Sequence, residues 1–360
     1  MPLTAQRRRR PPIVGRYTGE ELALAARNSG MPLESLRYDV TPVGLHYRLI
    51  HFDIPAADEF GWKLEIGGLV AKPCALDLAQ LRRMPAKTVR VTLECAGNGR
   101  GQVSPRYPSI PWLEEGVSTA EWTGVSLADL LHEVEIEKGA QEIVFHGADR
   151  GIDRGEEHSF SRSLVPAEAL REDVLLAYAM NGAPLPPPHG APLRLVVPGW
   201  YGMASVMWLE RIEVIDRAFE GVQQAQSYHY RSAAGEKGVP CTHMRVNSLM
   251  APPGIPDFYA RRRVASAGRI EVMGRAWSGE GAIQRVEFGV DGAWRDAGLE
   301  AAPDAHAWQR WHTAWEAAPG AHTLRCRATD VGGNTQPLEP VWDATGFGNN
   351  AVQCVAVTVQ

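Results

Sequence analysis

The chain has 360 residues, 44% hydrophobic and 22% charged, which excludes wholesale disorder and supplies material for about two domains. A formal net charge of −5 leaves no basic field for gripping a nucleic-acid backbone, and no apolar run is long enough to span a membrane. Five scattered cysteines without a C-x-x-C pair exclude a disulfide framework, a zinc ribbon and covalently attached haem; they fit a reducing compartment.

In chain order, the arginine run of "MPLTAQRRRRPPIVG" is followed by prolines and charges rather than an apolar stretch. It reads as a solvated tail and not as an export signal, so the expected location is cytoplasmic. Thr18 and Glu21 form a capping-box pattern for a helix to Asn28, which Gly30 is placed to close. "LHYRLIHFDI" and "WKLEIGGLV" read as strands with a turn signal at Gly67 and Gly68, and Asp77 caps a helix through "LAQLRRM". Val89–Leu93 is a buried strand. Helices "LADLLHEV" behind Ser126 and "PAEAL" behind Pro166 alternate irregularly with strands "EIVFHG", "VLLAYAM" and "LRLVV". That order argues for a mixed α and β core and against a doubly wound sheet.

"RVNSLMAPPGIPDFYARRR" reads as a linker or pinned connection. Beyond Gly268 the signals are short strands with close turns, including a D-G hairpin at Asp291 and Gly292, the pattern of an immunoglobulin-like β-sandwich without its disulfide. The expected organisation is an N-terminal extension over 1–40, a mixed α+β domain over 41–243 and an all-β domain over 244–360.

The stretch "VTLECAGNGRG" places Cys95 where a β-branched run meets a glycine-rich turn. Three readings stand: a buried free thiol, a nucleophile, or a soft thiolate ligand to a metal that also carries non-protein ligands. Only the last tolerates a cysteine with no partner cysteine or histidine nearby. Gly97, Asn98, Gly99 and Gly101 let backbone approach a bulky ligand, and Arg100 favours both a thiolate and an anionic substrate. Further on, His189 and Arg194 flank a strand before a second glycine turn, as polar groups converging on an anionic cofactor would.

"LECAGNGRG", Trp112–Gly124, "LLAYAMNGAPLP", "HGAPLRLVVPG" and "YGMASVMWLERI" come in the order of the sulfite oxidase family of molybdopterin enzymes, which the chain resembles from about Thr41 onward. "DVGGNTQP" and "GFGNN" resemble that family's dimerisation domain. The resemblance implies a molybdenum held by a pterin dithiolene and by one protein thiolate, matched by Cys95. It implies cofactor contacts at His51, Asp149, His189, Arg194, Ser205 and Val206, and an aromatic neighbour of the metal at Trp112. Tyr228 or Tyr230 matches the family's catalytic tyrosine, and Arg100 matches a group orienting an anionic substrate.

Two positions depart from the family pattern. Leu49 stands where sulfite-oxidising members carry an arginine, with Arg48 one place off and, on a strand, turned to the other face. Met207 replaces a lysine that contacts the cofactor. "TPVGLHYRLIHFDIP" and "LMAPPGIPDF" resemble haem-free bacterial branches, including the sulfane dehydrogenase type. The implied activity is oxygen-atom transfer to a small sulfur-containing anion such as sulfite, in a homodimer. Without a haem motif, cluster spacing or Rossmann fingerprint, electrons must leave to a separate carrier such as a cytochrome. A sulfoxide reductase of the same fold and a non-catalytic cofactor-storing or adhesion protein are the alternatives.

Overall fold

A computed structural model describes residues 17–56, 61–233 and 235–360. The arginine run expected to be a solvated tail lies outside the described residues. The first helix, Gly19–Arg27, is capped by Thr18 and Glu21 as expected, but Asn28 closes it: its side-chain amide donates to the Leu24 carbonyl at 2.8 Å. Asp77, Ser126 and Pro166 likewise open short helices at Leu78–Leu81, Leu127–Glu133 and Pro166–Ala169.

Two five-stranded sheets follow. In the first, Cys74–Leu76, Leu64–Gly68, Leu209–Ile215, Glu142–Asp153 and Glu156–Leu164 lie side by side; only Leu64–Gly68 and Leu209–Ile215 pair in parallel. In the second, Ala86–Glu94, Val117–Ser126 and Leu175–Met180 run antiparallel, and Leu175–Met180 also pairs with Ala183–Pro184 and Arg194–Val196. This is a mixed, mostly antiparallel α+β core, as the irregular element order implied.

The expected strand over Leu45–Ile54 does not form. Its backbone donors go elsewhere: Tyr47 N–H to Ser118 Oγ at 3.0 Å and Ile50 N–H to Asn28 Oδ1 at 2.6 Å, with a single bridge between Ser29 and Arg48. Side-chain acceptors have replaced a ladder, so two-residue alternation does not govern where these side chains point.

The C-terminal part is all β. A four-stranded sheet (Asn247–Met250, Gly268–Trp277, Gln309–Ala317, Gly298–Leu299) faces a six-stranded one built on Arg263–Ala265, Gln353–Val359, Gly320–Asp330 and Ile283–Val290. Trp311, Trp315 and Val272 from one sheet pack on Phe288, Leu324 and Val357 from the other, the core of an immunoglobulin-like sandwich. Asp291 and Gly292 both adopt positive φ, 50° and 94°, in the expected hairpin. The stretch expected to be a linker contains the strand Asn247–Met250, buried along its whole length. Hydrophobic packing is continuous across the two parts: Met244, Leu249, Trp277 and Trp308 share a cluster with Leu36, Trp200 and Tyr201.

Candidate active site

Cys95 follows directly on the strand Ala86–Glu94. Its N–H donates to the Gly116 carbonyl at 2.8 Å, and its own carbonyl accepts from Asn98 N–H at 2.9 Å, closing a turn at the strand's end. Asn98 locks that turn from its side chain, accepting from Gly116 N–H at 3.0 Å and donating to the Glu94 carboxylate at 3.0 Å. The glycines make room for protein groups. A Cβ at Gly97 would strike the Arg100 guanidinium at 2.7 Å, and one at Gly99, where φ is 77°, would strike the Asn349 amide at 2.8 Å.

The C-terminal part thus reaches the thiol. Gly348 N–H donates to the Ala96 carbonyl at 2.8 Å, Asn349 Nδ2 to the Gly99 carbonyl at 2.8 Å, and Arg100 Nε to the Thr345 carbonyl at 3.1 Å. The Arg100 guanidinium lies over the Phe347 ring at 4.9 Å. Buried Glu94, next to Cys95, accepts from Asn247 Nδ2 at 3.0 Å and Trp277 Nε1 at 2.9 Å, and burial pushes its carboxyl up to about 7.

Cys95 lines a cavity whose walls combine apolar and aromatic side chains with a few polar and charged groups, the lining of a small-molecule site. Burial pushes the thiol up, while Arg100 and the Trp112 indole beside it favour the thiolate. Asp149, His189, Arg194, Ser205, His51 and Tyr228 line the same cavity. Arg194 is 5% exposed and reaches no carboxylate among the described residues. It donates to the carbonyls of His189 at 3.0 Å and Ser205 at 3.1 Å and lies 4.7 Å from the Trp122 ring centre. Burial lowers it to about 10 and lowers His189 to about 4, Arg194 and Arg48 adding to the latter. Burial raises the Asp149 carboxyl to about 7.

His51 Nε2 and the Tyr228 hydroxyl are 2.6 Å apart, and burial holds His51 neutral, down to about 4. Tyr228 also stacks on Phe347 at 5.2 Å, and burial raises its hydroxyl pKa.

The structure therefore brings Cys95, His51, Asp149, His189, Arg194, Ser205 and Tyr228 to one cavity, with Arg100 against the turn that carries the thiol. Arg100 itself is not among the cavity's lining residues, and two further expected residues stand apart. Val206 is not among the lining; its side chain is in the core and its carbonyl accepts from Leu195 N–H at 2.8 Å. Tyr230 is turned beneath Arg245, whose guanidinium is 4.3 Å from its ring centre.

A further correction concerns Arg48. With no strand to alternate along, it lines the same cavity as Leu49 and His51, with its Nε buried and without a hydrogen-bond partner among the described residues. His46, which no sequence pattern singled out, lines the cavity as well. Leu49 and Met207, the two departures, both line the cavity.

Two family models match the chain: an oxidoreductase molybdopterin binding domain over residues 51–223 and a Mo-co oxidoreductase dimerisation domain over 240–360. The sulfite oxidase of Gallus gallus is 33% identical over 339 residues, covering 87% of this chain and 72% of that protein. Human mitochondrial sulfite oxidase is 30% identical, with 89% of this chain and 62% of that protein covered. An NADH nitrate reductase of Lotus japonicus is 31% identical over 90% of this chain and 39% of its own length. The chain thus spans well under two thirds of the plant reductase and just under two thirds of the human oxidase. Among solved structures, the sulfane dehydrogenase SoxCD from Paracoccus pantotrophus superposes with a TM-score of 0.81 at 25% identity, covering 100% of this chain and 95% of that one. These relatives are oxidoreductases, which sets aside the non-catalytic reading. On the matched domains, the relatives and the cysteine-centred cavity together, the chain belongs to the sulfite oxidase family of molybdopterin-dependent oxidoreductases.

Proposed function

We propose that the protein oxidises a small sulfur-containing anion by oxygen-atom transfer and passes the electrons to a separate carrier protein such as a cytochrome, working as a homodimer. The observation that carries this reading is a thiol and uncompensated cations at one cavity, Arg194 buried and Arg48 half-buried. Arg48 and Arg194 line it and Arg100 lies behind the thiol, none ion-paired to a carboxylate among the described residues. A buried cation without a counter-charge is costly unless an anion arrives.

The residues fit a molybdopterin. Cys95 would ligate the metal, Arg194 and Arg48 would neutralise the phosphate, and Asp149, His51 and His189 would hydrogen-bond the heterocycle. When bound, the cofactor supplies oxygen-atom exchange and storage of two electrons. The chain's own residues do the rest. Arg100 does not line the cavity; it attracts the substrate anion through its charge, which the Thr345 carbonyl and the Phe347 ring fix beside the turn that carries the thiol. Tyr228, hydrogen-bonded to His51, presents a hydroxyl that lines the cavity and stays protonated. Buried rings, including Phe160 and Tyr47, exclude water.

Sulfite itself is disfavoured by Leu49 and Met207. Losing one charged contact in a desolvated site costs on the order of 2–4 kcal/mol. The likeness to a sulfane dehydrogenase over the whole chain supports a sulfane-sulfur or thiosulfate-like substrate instead.

The test is expression in a host that makes the cofactor, followed by molybdenum quantification. Turnover is then measured with sulfite, thiosulfate and sulfane-sulfur compounds plus an artificial acceptor, against sulfoxides and nitrate plus a reduced dye. The expected result is about one molybdenum per chain and turnover only in the oxidative assays; turnover only with the reduced dye reverses the proposed direction. Cys95→Ser should keep its fold but lose the sulfur-to-metal charge-transfer absorption and the activity. An unchanged spectrum and rate would remove Cys95 from the mechanism.

A further inference from the structure

His46 is 5% exposed, lines the cavity and has no role in the account so far. Its Nδ1 lies 2.9 Å from the Tyr47 carbonyl oxygen. A carbonyl only accepts, so the ring proton sits on Nδ1 and Nε2 is left as a bare lone pair. That Nε2 is buried and meets no hydrogen-bond partner among the described residues.

The surroundings hold the ring in this orientation. Tyr47 stacks on the ring at 5.2 Å, while His189 meets it edge-on at 5.1 Å and Trp122 at 6.0 Å. Charge does not offer an escape. Burial, with His189 and Arg194 adjacent, drives the imidazole down to about 3, so Nε2 does not become a donor at neutral pH. A buried acceptor of this kind is rare unless something outside the chain satisfies it. The other orphaned polar atoms nearby, Arg48 Nε and Trp122 Nε1, are donors. His46 therefore asks the occupant of the cavity for an N–H, where its neighbours ask for acceptors. A pterin ring carries both.

We propose that His46 is a cofactor-binding residue whose Nε2 accepts a hydrogen bond from an N–H of the pterin. This rests on reading the cavity as the molybdopterin site.

The experiment compares wild type, His46→Phe and His46→Gln, each expressed in a host that makes the cofactor. Pterin content is read by fluorescence of its oxidised derivative, and affinity by uptake of molybdopterin into cofactor-free protein. Phenylalanine keeps the ring stack and removes the acceptor; the Gln side-chain oxygen restores an acceptor near the Nε2 position. The expected result is about a tenfold weaker uptake by His46→Phe, near-normal uptake by His46→Gln, and thermal midpoints of the cofactor-free forms that match wild type. Uptake by His46→Phe equal to wild type overturns the proposal. A wild type that carries no pterin at all overturns the cavity reading instead. Should His46→Phe not fold, the 15N resonance of Nε2 in wild type decides. An upfield move on loading supports the bond, and an identical shift in loaded and cofactor-free protein refutes it.

Discussion

Arg48 shows how one side chain escapes a pattern argument. Alternation along a strand would turn it away from the face that Leu49 and His51 share, but the segment is irregular and all three line the cavity. Behind burial and Arg194, its charge also helps to depress His189. Arg48 thus supplies a cation to the cavity, where Met207 supplies none. Replacing Arg48 by Leu should lower cofactor content and weaken uptake about tenfold or more, the usual penalty for one lost charge-assisted contact. Pterin and metal analysis of the purified variant checks this; normal loading would show that Arg194 suffices alone. Cys95, by contrast, stood out locally, at the junction of a β-branched run and a glycine turn, but that junction left a packed thiol, a nucleophile and a metal ligand all open, and only the resemblance to the family chose among them.

At the scale of elements, the segment Asp343–Asn350 matters most for the site. The "GFGNN" motif within it was recognisable as part of the dimerisation domain, yet nothing in the sequence says that it lies against Cys95. The contacts span about 250 residues of chain, and no local pattern encodes them. Asp343 shapes this segment. One oxygen accepts from Thr345 N–H at 2.8 Å and from the Thr345 hydroxyl, and the other accepts from Arg231 N–H at 2.6 Å. Asp343→Ala leaves buried donors unsatisfied, a cost of about 2–3 kcal/mol. The thermal midpoint should fall by roughly 5 °C. In the loaded enzyme KM for an anionic sulfur substrate should rise several-fold, because Arg100 loses its support at Thr345 and Phe347, while the charge-transfer spectrum set by Cys95 stays as in wild type. A changed spectrum with an unchanged KM would place the segment's influence on the metal instead of on Arg100.

Across the whole molecule, the two parts are joined by buried polar groups as well as by hydrocarbon. Glu94 ties the cysteine turn to Asn247 and Trp277, and Glu114 ties the following loop to the last strand: it accepts from Gln353 Nε2 at 3.0 Å and from Gln102 Nε2 at 3.1 Å. The β-sandwich and the mixed core were readable from turn spacing and element order; these cross-links were not, since a glutamate in sequence looks the same whether solvated or buried. Burial, with Glu115 adding its charge, raises the Glu114 carboxyl to about 7. Between the unfolded value near 4.5 and about 7, the folded protein holds a proton there that the unfolded chain has released. Stability from this group is therefore fully present below the unfolded value and is lost as pH rises through about 7. The buried histidines, held neutral in the folded state, have the opposite slope at lower pH, so the comparison must be made between variants and not along one curve. Glu114→Gln keeps the shape and removes the titration. Its midpoint relative to wild type should be a few degrees more favourable at pH 8 than at pH 5, as measured by thermal unfolding of the cofactor-free proteins. Parallel curves across that range would mean that Glu114 is solvated in the folded protein and does not cross-link the two parts.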